Sequence, residues 1–360
     1  MMGDFGMRTD LNGITGPLLD WYDANKRTLP WRGTGDPYKV LVSEIMLQQT
    51  RVAAVVPYYL RWMEELPDVE SLAKADEERL MKLWQGLGYY SRARNLHRAA
   101  RMVMTEFSGH FPEKYTDILK LPGVGEYTAG AVASIAFGQA VPAVDGNVLR
   151  VAARVMGDSG DILDQGVKRR FRGIIEEVMP SDRPGEFNQA LMDLGAMVCL
   201  PNGAPVCGSC PLAGQCEAVK LGLQDVLPVR KKKAARRVEE MTVFLLLRDG
   251  RTAVRRREDK GLLAGLWEFP HVPGNLDEDA AAGILEAWGI TAVEWRKKLS
   301  AKHIFTHVEW QMTGYLLESA GESGGFVWVD RTGLEKLAVP SAFAKFLDEV
   351  RYCLSGEDFA

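Results

Sequence analysis

The sequence lacks any apolar run of the ~18 residues a membrane-spanning helix requires, so no such span is expected. Its N-terminus, MMGDFGMRTD, lacks the charged-then-apolar order of a secretory signal, and the protein is expected in the cytoplasm. It also lacks an excess of basic residues: 44 Lys and Arg stand against 48 Asp and Glu, a net charge of −4. Nucleic-acid-binding proteins usually leave a basic footprint, so the total by itself argues against that class. Cysteine is scarce, with five in 360 residues; four fall between Cys199 and Cys216, and Cys353 stands alone. In a reducing compartment such a group reads as a metal or cluster site rather than as disulfides.

What is present is ordinary in bulk and uneven in place. A composition 46% hydrophobic and 26% charged is that of a soluble globular protein, and 360 residues suggest two or more domains. Basic residues gather locally, as Arg92, Arg94, Arg98 and Arg101 and as the run from Val229 to Arg237. A net acidic chain can therefore still carry a basic face.

The most informative stretch runs from Phe111 to Arg150. Tyr115, Ile118 and Leu119 place apolar groups on one face of a short helix, which Pro122 and Gly123 end. The turn Gly123-Val124-Gly125 leaves N–H groups at a following helix N-terminus, a setting that favours an anion. It also suits an ordinary helix-turn-helix with a glycine cap. A helix rich in Ala and Gly is expected over Thr128–Phe137, and Asp145 stands where an N-cap belongs, before Val148 and Leu149.

Before this stretch, helices are expected over 14–25, from 37 on, and over 51–65, 71–75 and 76–84. In the second of them Glu44 has apolar neighbours at Val40, Leu41 and Leu47. A carboxylate on that stripe faces a core or a pocket, where desolvation raises its pKa, as a general acid requires. A buried glutamate paired with an arginine fits the same spacing. Trp31, between Arg27 and Arg32, reads as a core anchor or a pocket wall. The loop Gly86-Leu-Gly-Tyr-Tyr-Ser-Arg92 leads into an Arg-rich helix and suits a DNA-facing wedge. After the stretch, helices are expected over 166–179 and 185–198. The cysteines follow as Cys199-x7-Cys207-x2-Cys210-x5-Cys216, one short segment rather than the two distant pairs of most zinc sites. Four thiolates so placed can hold a [4Fe–4S] cluster.

A change of character over 221–240, with Leu227-Pro228 and the basic run, marks a linker. Beyond it the period becomes that of strands: MTVFLLLR, an Asp249-Gly250 turn, RTAVRRR and Gly265–Pro270. A helix is expected over 276–288, and further strands over 292–299, 303–310, 311–317 and 326–330. Helices near Leu334 and over 341–354 close the chain.

These motifs together resemble the MutY family of adenine DNA glycosylases, from about Leu18 to Val350. LPGVG and the downstream Val-Asp-Gly-Asn match its helix-hairpin-helix, SEIMLQQT its catalytic-acid helix, and GLGYYSRARNL its wedge. The cysteine loop is one residue longer before Cys207 than the family's usual form. The C-terminal part, with GLLAGLWEFP, resembles a Nudix domain, but GNLDEDAAAGILEAWGI lacks the Arg-Glu and Glu-Glu elements that bind magnesium. That leaves a binding role and no nucleotide hydrolysis. The implied architecture is an all-α helix-hairpin-helix glycosylase with a [4Fe–4S] cluster loop, then an α+β Nudix-like domain. The expected bounds are 1–227, a basic linker over 228–239, and 240–360.

The resemblance implies hydrolytic removal of adenine mispaired with 8-oxoguanine or guanine in duplex DNA, by a monomer. Glu44 would protonate the adenine at N7, and Asp145 would stabilise or attack the sugar. Tyr127 lies near that sugar, and Asn147 orients Asp145 or water. Arg27, Trp31 and Gln189 match adenine-pocket positions. Gln49, Thr50, Leu87 and Tyr89 match positions facing the opposite strand, and Gly123, Val124 and Gly125 the phosphate grip. Phe305-Thr306-His307 takes the place of the lesion-reading Phe-Ser-His loop. Cys199, Cys207, Cys210 and Cys216 would ligate the cluster. An endonuclease III-like lyase needs a lysine where Tyr127 stands. A non-enzymatic iron–sulfur DNA sensor would leave Glu44 and Asp145 without a role, and a nucleotide-pool hydrolase would need the missing box.

Overall fold

A computed structural model of the chain describes residues 10–201, 205–231, 236–321 and 325–355. Asn202–Ala204, in the part of the cysteine loop that is one residue longer than the family's usual form, lie outside the described residues, as do Lys232–Ala235 of the basic run. The chain divides into two compact units, Met1–Ala75 with Arg94–Lys232, and Asp76–Ala93 with Lys233–Ala360. No helix among the described residues is long and apolar enough to cross a membrane.

The first unit is helical. Its elements are α1 (Thr15–Asn25), α2 (Pro37–Leu47), α3 (Val52–Glu65) and α4 (Val69–Lys74). Then, past α5 (Glu77–Leu83) of the second unit, come α6 (Ser91–Glu106), whose first residues fall in that unit, and α7 (Tyr115–Ile118), α8 (Glu126–Phe137), α9 (Gly146–Met156), α10 (Gln165–Glu177), α11 (Pro184–Met197) and α12 (Glu217–Leu221). The sequence explains the starts: Pro37 occupies the first turn of α2, and Asp36 accepts the Tyr38 N–H at 2.9 Å. Helix α8 starts at Glu126, two residues ahead of the expected start, because Gly125 serves as its cap residue. Gly123, at φ +77°, makes the hairpin, and a Cβ there would lie 2.5 Å from Asn95 Cβ.

Small residues let the helices that carry the site come close. Ala129, Ala131 and Ala133 of α8 are fully buried, and a Cβ on Gly185 of α11 would meet the Ser134 carbonyl at 2.7 Å. Asn188, also fully buried, joins α8, the α8–α9 loop and α11. Its amide donates to Ser134 Oγ at 2.8 Å and to the Val141 carbonyl at 2.9 Å, and its oxygen accepts the Ala143 N–H at 3.0 Å. Leu18, Val148, Val151, Phe187, Leu191 and Leu194 belong to the apolar core around this joint.

The second unit is built on a mixed sheet of β1 (Arg237–Arg248), β2 (Arg251–Arg256), β3 (Trp267–Glu268), β4 (His271–Pro273), β5 (Thr291–Ile304), β6 (Val308–Ala320) and β7 (Val327–Val329). The main path runs β3-β2-β1-β6-β5, with β4 on β1 and β7 on β2; β1 and β6 are parallel. Helix α13 (Glu278–Ala287) brings Ala281 and Leu285 to one apolar core, while α15 (Ala344–Cys353), following α14 (Arg331–Lys336), brings Phe346, Leu347 and Val350 to the other. The three strands expected over 292–317 are two. Val308, Trp310 and Met312 are buried in unbroken alternation, so nothing interrupts the chain at 310, and the break falls at Phe305–His307, the β5–β6 turn.

Asp76–Ala93, read from the sequence as part of the first domain, packs with the second unit. Lys82 Nζ donates to the Leu337 carbonyl at 3.1 Å, and Gln85 Nε2 to the Val339 carbonyl at 2.7 Å.

Candidate active site

A cavity of about 590 Å³ opens in the first unit, and Glu44, Asp145, Tyr127, Asn147, Arg27, Trp31 and Gln189 all line it. These residues come from α2, α8, the head of α9, α11 and the segment before α2. Glu44 is 6% exposed, and its Oε2 accepts the Tyr127 hydroxyl at 2.5 Å. Burial pushes the Glu44 carboxyl up to about 7. The Tyr127 hydrogen bond opposes the shift, nearby Asp145 adds to it, and Arg32 opposes it. Burial and the two carboxylates also push the Tyr127 hydroxyl well above its ordinary value.

Asp145 is the N-cap of α9, as the sequence expects. Its Oδ1 accepts the N–H groups of Asn147 at 2.9 Å and Val148 at 2.8 Å, and its Oδ2 accepts Asn147 Nδ2 at 2.8 Å. Burial raises its pKa, while these donors and Arg150 favour the carboxylate. Arg150 Nη2 donates to Asn147 Oδ1 at 2.9 Å and to the Gly195 carbonyl at 2.8 Å, and its Nε to the Cys199 carbonyl at 2.8 Å. A chain of hydrogen bonds thus leads from Asp145 through Asn147 and Arg150 to the backbone of the cysteine segment. Gly195 permits it, since a Cβ there would lie 2.6 Å from Asn147 Cβ.

The other wall holds Trp31, 6% exposed and edge-on to Tyr59 with ring centres 5.1 Å apart, between Arg27 and Arg32. Gln49, at φ +60°, and Thr50 line the same cavity from the loop after α2. Sequence reasoning left Asp193 and Met192 unmarked, read Arg32 only as a cation flanking Trp31, and named Arg150 only as the end of a stretch. Asp193 sits one turn after Gln189 in a mostly apolar helix, the same signal that marked Glu44, and could have been found that way.

Cys199, Cys207, Cys210 and Cys216 line one small space together with Val151, Val155, Leu194 and Leu212. Arg154 Nη1 donates to Cys199 Sγ at 3.3 Å. Burial raises the thiol pKa of Cys210 to about 11 and raises that of Cys216. Among the described residues no three His, Cys, Asp or Glu side chains close round the position of a single metal ion.

In the second unit, Tyr89 is 46% exposed at φ +48°, and its hydroxyl shares a hydrogen bond of 2.8 Å with Thr306 Oγ1. The Arg92 guanidinium stacks on both Trp84 and Tyr89, 5.3 and 5.5 Å from the ring centres, and donates to the carbonyls of Leu87 and Gly88. Leu87, expected to face DNA, is buried. Phe305 packs between His303 and Trp310, while Thr306 and His307 are exposed. Gly123 and Gly125 of the hairpin are exposed and Val124 is buried, so only the glycine backbone is open to an anion.

Residues 42–177 match the HhH-GPD superfamily of base excision DNA repair proteins, and residues 242–349 match the NUDIX domain. The chain is similar to the adenine DNA glycosylase of Arabidopsis thaliana, 41% identical over 73% of this chain and 48% of that protein, so it spans about half that relative's length. It is similar to the adenine DNA glycosylase of Homo sapiens, 36% identical over 93% of this chain and 73% of that one. Among solved structures, a thermostable thymine-DNA glycosylase is similar at 29% identity and a TM-score of 0.52, over 58% of this chain and 95% of that chain.

Proposed function

The chain belongs to the adenine DNA glycosylase family, and from that premise we propose that it hydrolyses the N-glycosidic bond of adenine mispaired with 8-oxoguanine or guanine in duplex DNA, as an intracellular monomer. The observation that carries the reading is the pair of carboxyls in one cavity with different surroundings. Glu44 is buried, and that burial lets it hold a proton up to about pH 7. Asp145 is held by three N–H donors that favour its anion. Burial raises both carboxyls, but only at Asp145 do several N–H donors oppose the rise, so Glu44 is the acid of the pair and Asp145 the one whose anion is favoured. At about 590 Å³ the cavity has room for a base flipped out of the stack.

Glu44 gives its proton to adenine N7, which turns the base into a better leaving group. Asp145 faces the sugar and stabilises its oxocarbenium-like charge or attacks it. Asn147 orients Asp145 through its 2.8 Å hydrogen bond, and Tyr127 holds Glu44 in place. Arg27, Trp31 and Gln189 form the adenine wall. Tyr127 offers no amine, so Schiff-base chemistry and strand cleavage are not expected at that position. The hairpin at Gly123–Gly125 grips a phosphate. Gln49, Thr50 and Tyr89 serve the opposite strand, with Phe305, Thr306 and His307 reading the lesion. Residues 1–227 carry catalysis and 240–360 lesion reading, joined by 228–239, with Asp76–Ala93 added to the second part.

The four cysteines would hold a [4Fe–4S] cluster. Thiols set round a shared apolar space with an arginine on Cys199 suit a cluster whose irons take one thiolate each, whereas one zinc needs its sulfurs at about 2.3 Å. Glycosidic cleavage transfers no electron, so the cluster would order this segment and, through Arg150, support Asn147.

The test is release of free adenine from a duplex with a single A:8-oxoguanine pair. Glu44→Gln lowers the rate by roughly 10²–10⁴-fold while duplex binding persists. Full activity in that variant overturns the general-acid assignment.

A further inference from the structure

Asp193 of α11 is fully buried, and a buried carboxylate is costly unless charge and hydrogen bonds compensate it. Here two guanidiniums do so. Asp193 Oδ1 accepts Arg27 Nε at 2.7 Å and Arg32 Nη2 at 2.8 Å, with Arg27 Nη2 at 2.5 Å. Its Oδ2 accepts Arg32 Nη1 at 2.9 Å and the Arg27 N–H at 3.4 Å. Arg32 Nη1 also donates to Tyr22 OH at 3.0 Å. Both arginines line the cavity and flank Trp31, and Gln189 and Met192 of α11 stand on the same wall. Asp193 therefore ties the segment that carries Trp31 to the helix that carries Gln189.

We propose that Asp193 is the positioning residue of the base pocket: it clamps Arg27 and Arg32 on either side of Trp31 and balances the positive charge beside Glu44. The charged and titratable groups round Glu44 are Tyr127 from α8, Asp145 from the head of α9, and Arg32 from the segment before α2, with Arg27 and Asp193 behind it. Arg32 favours the Glu44 carboxylate, and Asp145 opposes it. With Asp193 uncharged, Arg32 acts on Glu44 without its counter-ion, and Glu44 gives up its proton at lower pH.

The inference rests on Glu44 being the proton donor, and its test separates the two. Single-turnover adenine release from an A:8-oxoguanine duplex is followed against pH for the full chain, Asp193→Asn and Asp193→Glu. In Asp193→Asn the alkaline limb moves down by about 0.5–1 pH unit, so that loss is about 3- to 10-fold above the limb and smaller below it. Asp193→Glu, which keeps the charge, restores the limb. A rate lowered equally at every pH, with the limb unmoved, overturns the proposal. Where Asp193→Asn does not fold, Arg32→Gln serves: it removes the cation, Arg27 still pairs with Asp193, and the limb moves up. An unmoved limb there overturns the proposal as well. Full activity in Glu44→Gln would instead sink the general-acid reading, whatever the Asp193 variants do.

Discussion

Tyr127 of the first unit and Tyr89 of the second are held in opposite ways. The Tyr127 hydroxyl is turned into a cavity, donates to Glu44 at 2.5 Å and stands beside Asp145. Tyr89 is 46% exposed, in a left-handed conformation, with its ring on Arg92 and its hydroxyl on Thr306. A group that keeps a proton near neutral pH needs dry surroundings and partners already in place. On the reading proposed above Tyr89 meets a base, and such a group needs an open face. The left-handed backbone at Tyr89 is a local cost, borne where Gly86 and Gly88 loosen the chain and Arg92 ties it down.

The largest expected effect tests the dry side. The folded-state pKa of Glu44, about 7, lies above its ordinary 4.5. Folding therefore favours the protonated form: the contribution is fully present below pH 4.5 and is lost as pH rises through 7. A shift of that size corresponds to about 3 kcal/mol. Glu44→Gln removes the cost of burying the anion. In urea unfolding it should gain on the parent protein between pH 5 and pH 8, by about 3 kcal/mol at most. An equal difference at both pH values would mean that Glu44 ionises freely in the folded state, and the contrast between the two tyrosines would collapse.

An intermediate effect tests how tightly the dry side is built. Gly195→Ala drives a Cβ to within 2.6 Å of Asn147 Cβ, which loosens the hold on Asp145. Overpacking of this kind costs about 1–3 kcal/mol. Adenine release should fall while duplex binding holds. Gly173→Ala in α10 is the control, since a Cβ there meets nothing within 4 Å; it should be neutral or stabilising by up to ~1 kcal/mol. Thermal melting of both variants checks the difference, and equal losses would contradict it.

Much of the dry site was legible in sequence because its signals are local. Glu44 stands out against Val40, Leu41 and Leu47 on one helix face, and Asp145 stands out as a cap before Val148. The hairpin announces itself by Pro122 and two glycines. Asp193 carried the same signal as Glu44, but its partners lie some 160 positions away, and separation hides a clamp. The union of Asp76–Ala93 with the second unit was hidden differently. Lys82 and Gln85 bond to the carbonyls of Leu337 and Val339, and a backbone acceptor leaves no mark on residue identity. The β5–β6 boundary was misplaced because Phe305-Thr306-His307 carries neither Gly nor Pro, so the turn looks like strand.

The smallest effect belongs to the open side, and it separates the two regions most sharply. Tyr89→Phe keeps the ring on Arg92 and removes only the hydroxyl bonded to Thr306. One such hydrogen bond is worth about 0.5–1.5 kcal/mol, or roughly 2–10-fold. If the Tyr89–Thr306 pair steadies the surface that reads the lesion, the loss appears in the preference for A:8-oxoguanine over A:G. The pH limb of adenine release, set by Glu44 in the first unit, stays put, and any loss of stability stays within the roughly 0.5–1.5 kcal/mol of that one bond. Thr306→Ser keeps the oxygen and should fall between the parent and Tyr89→Phe, because serine holds its hydroxyl less firmly than the β-branched threonine. Rates on both mispairs, measured side by side, decide the matter. An equal fall on the two would place the Tyr89 hydroxyl in the scaffold, and a moved pH limb would tie it to the proton chemistry of Glu44.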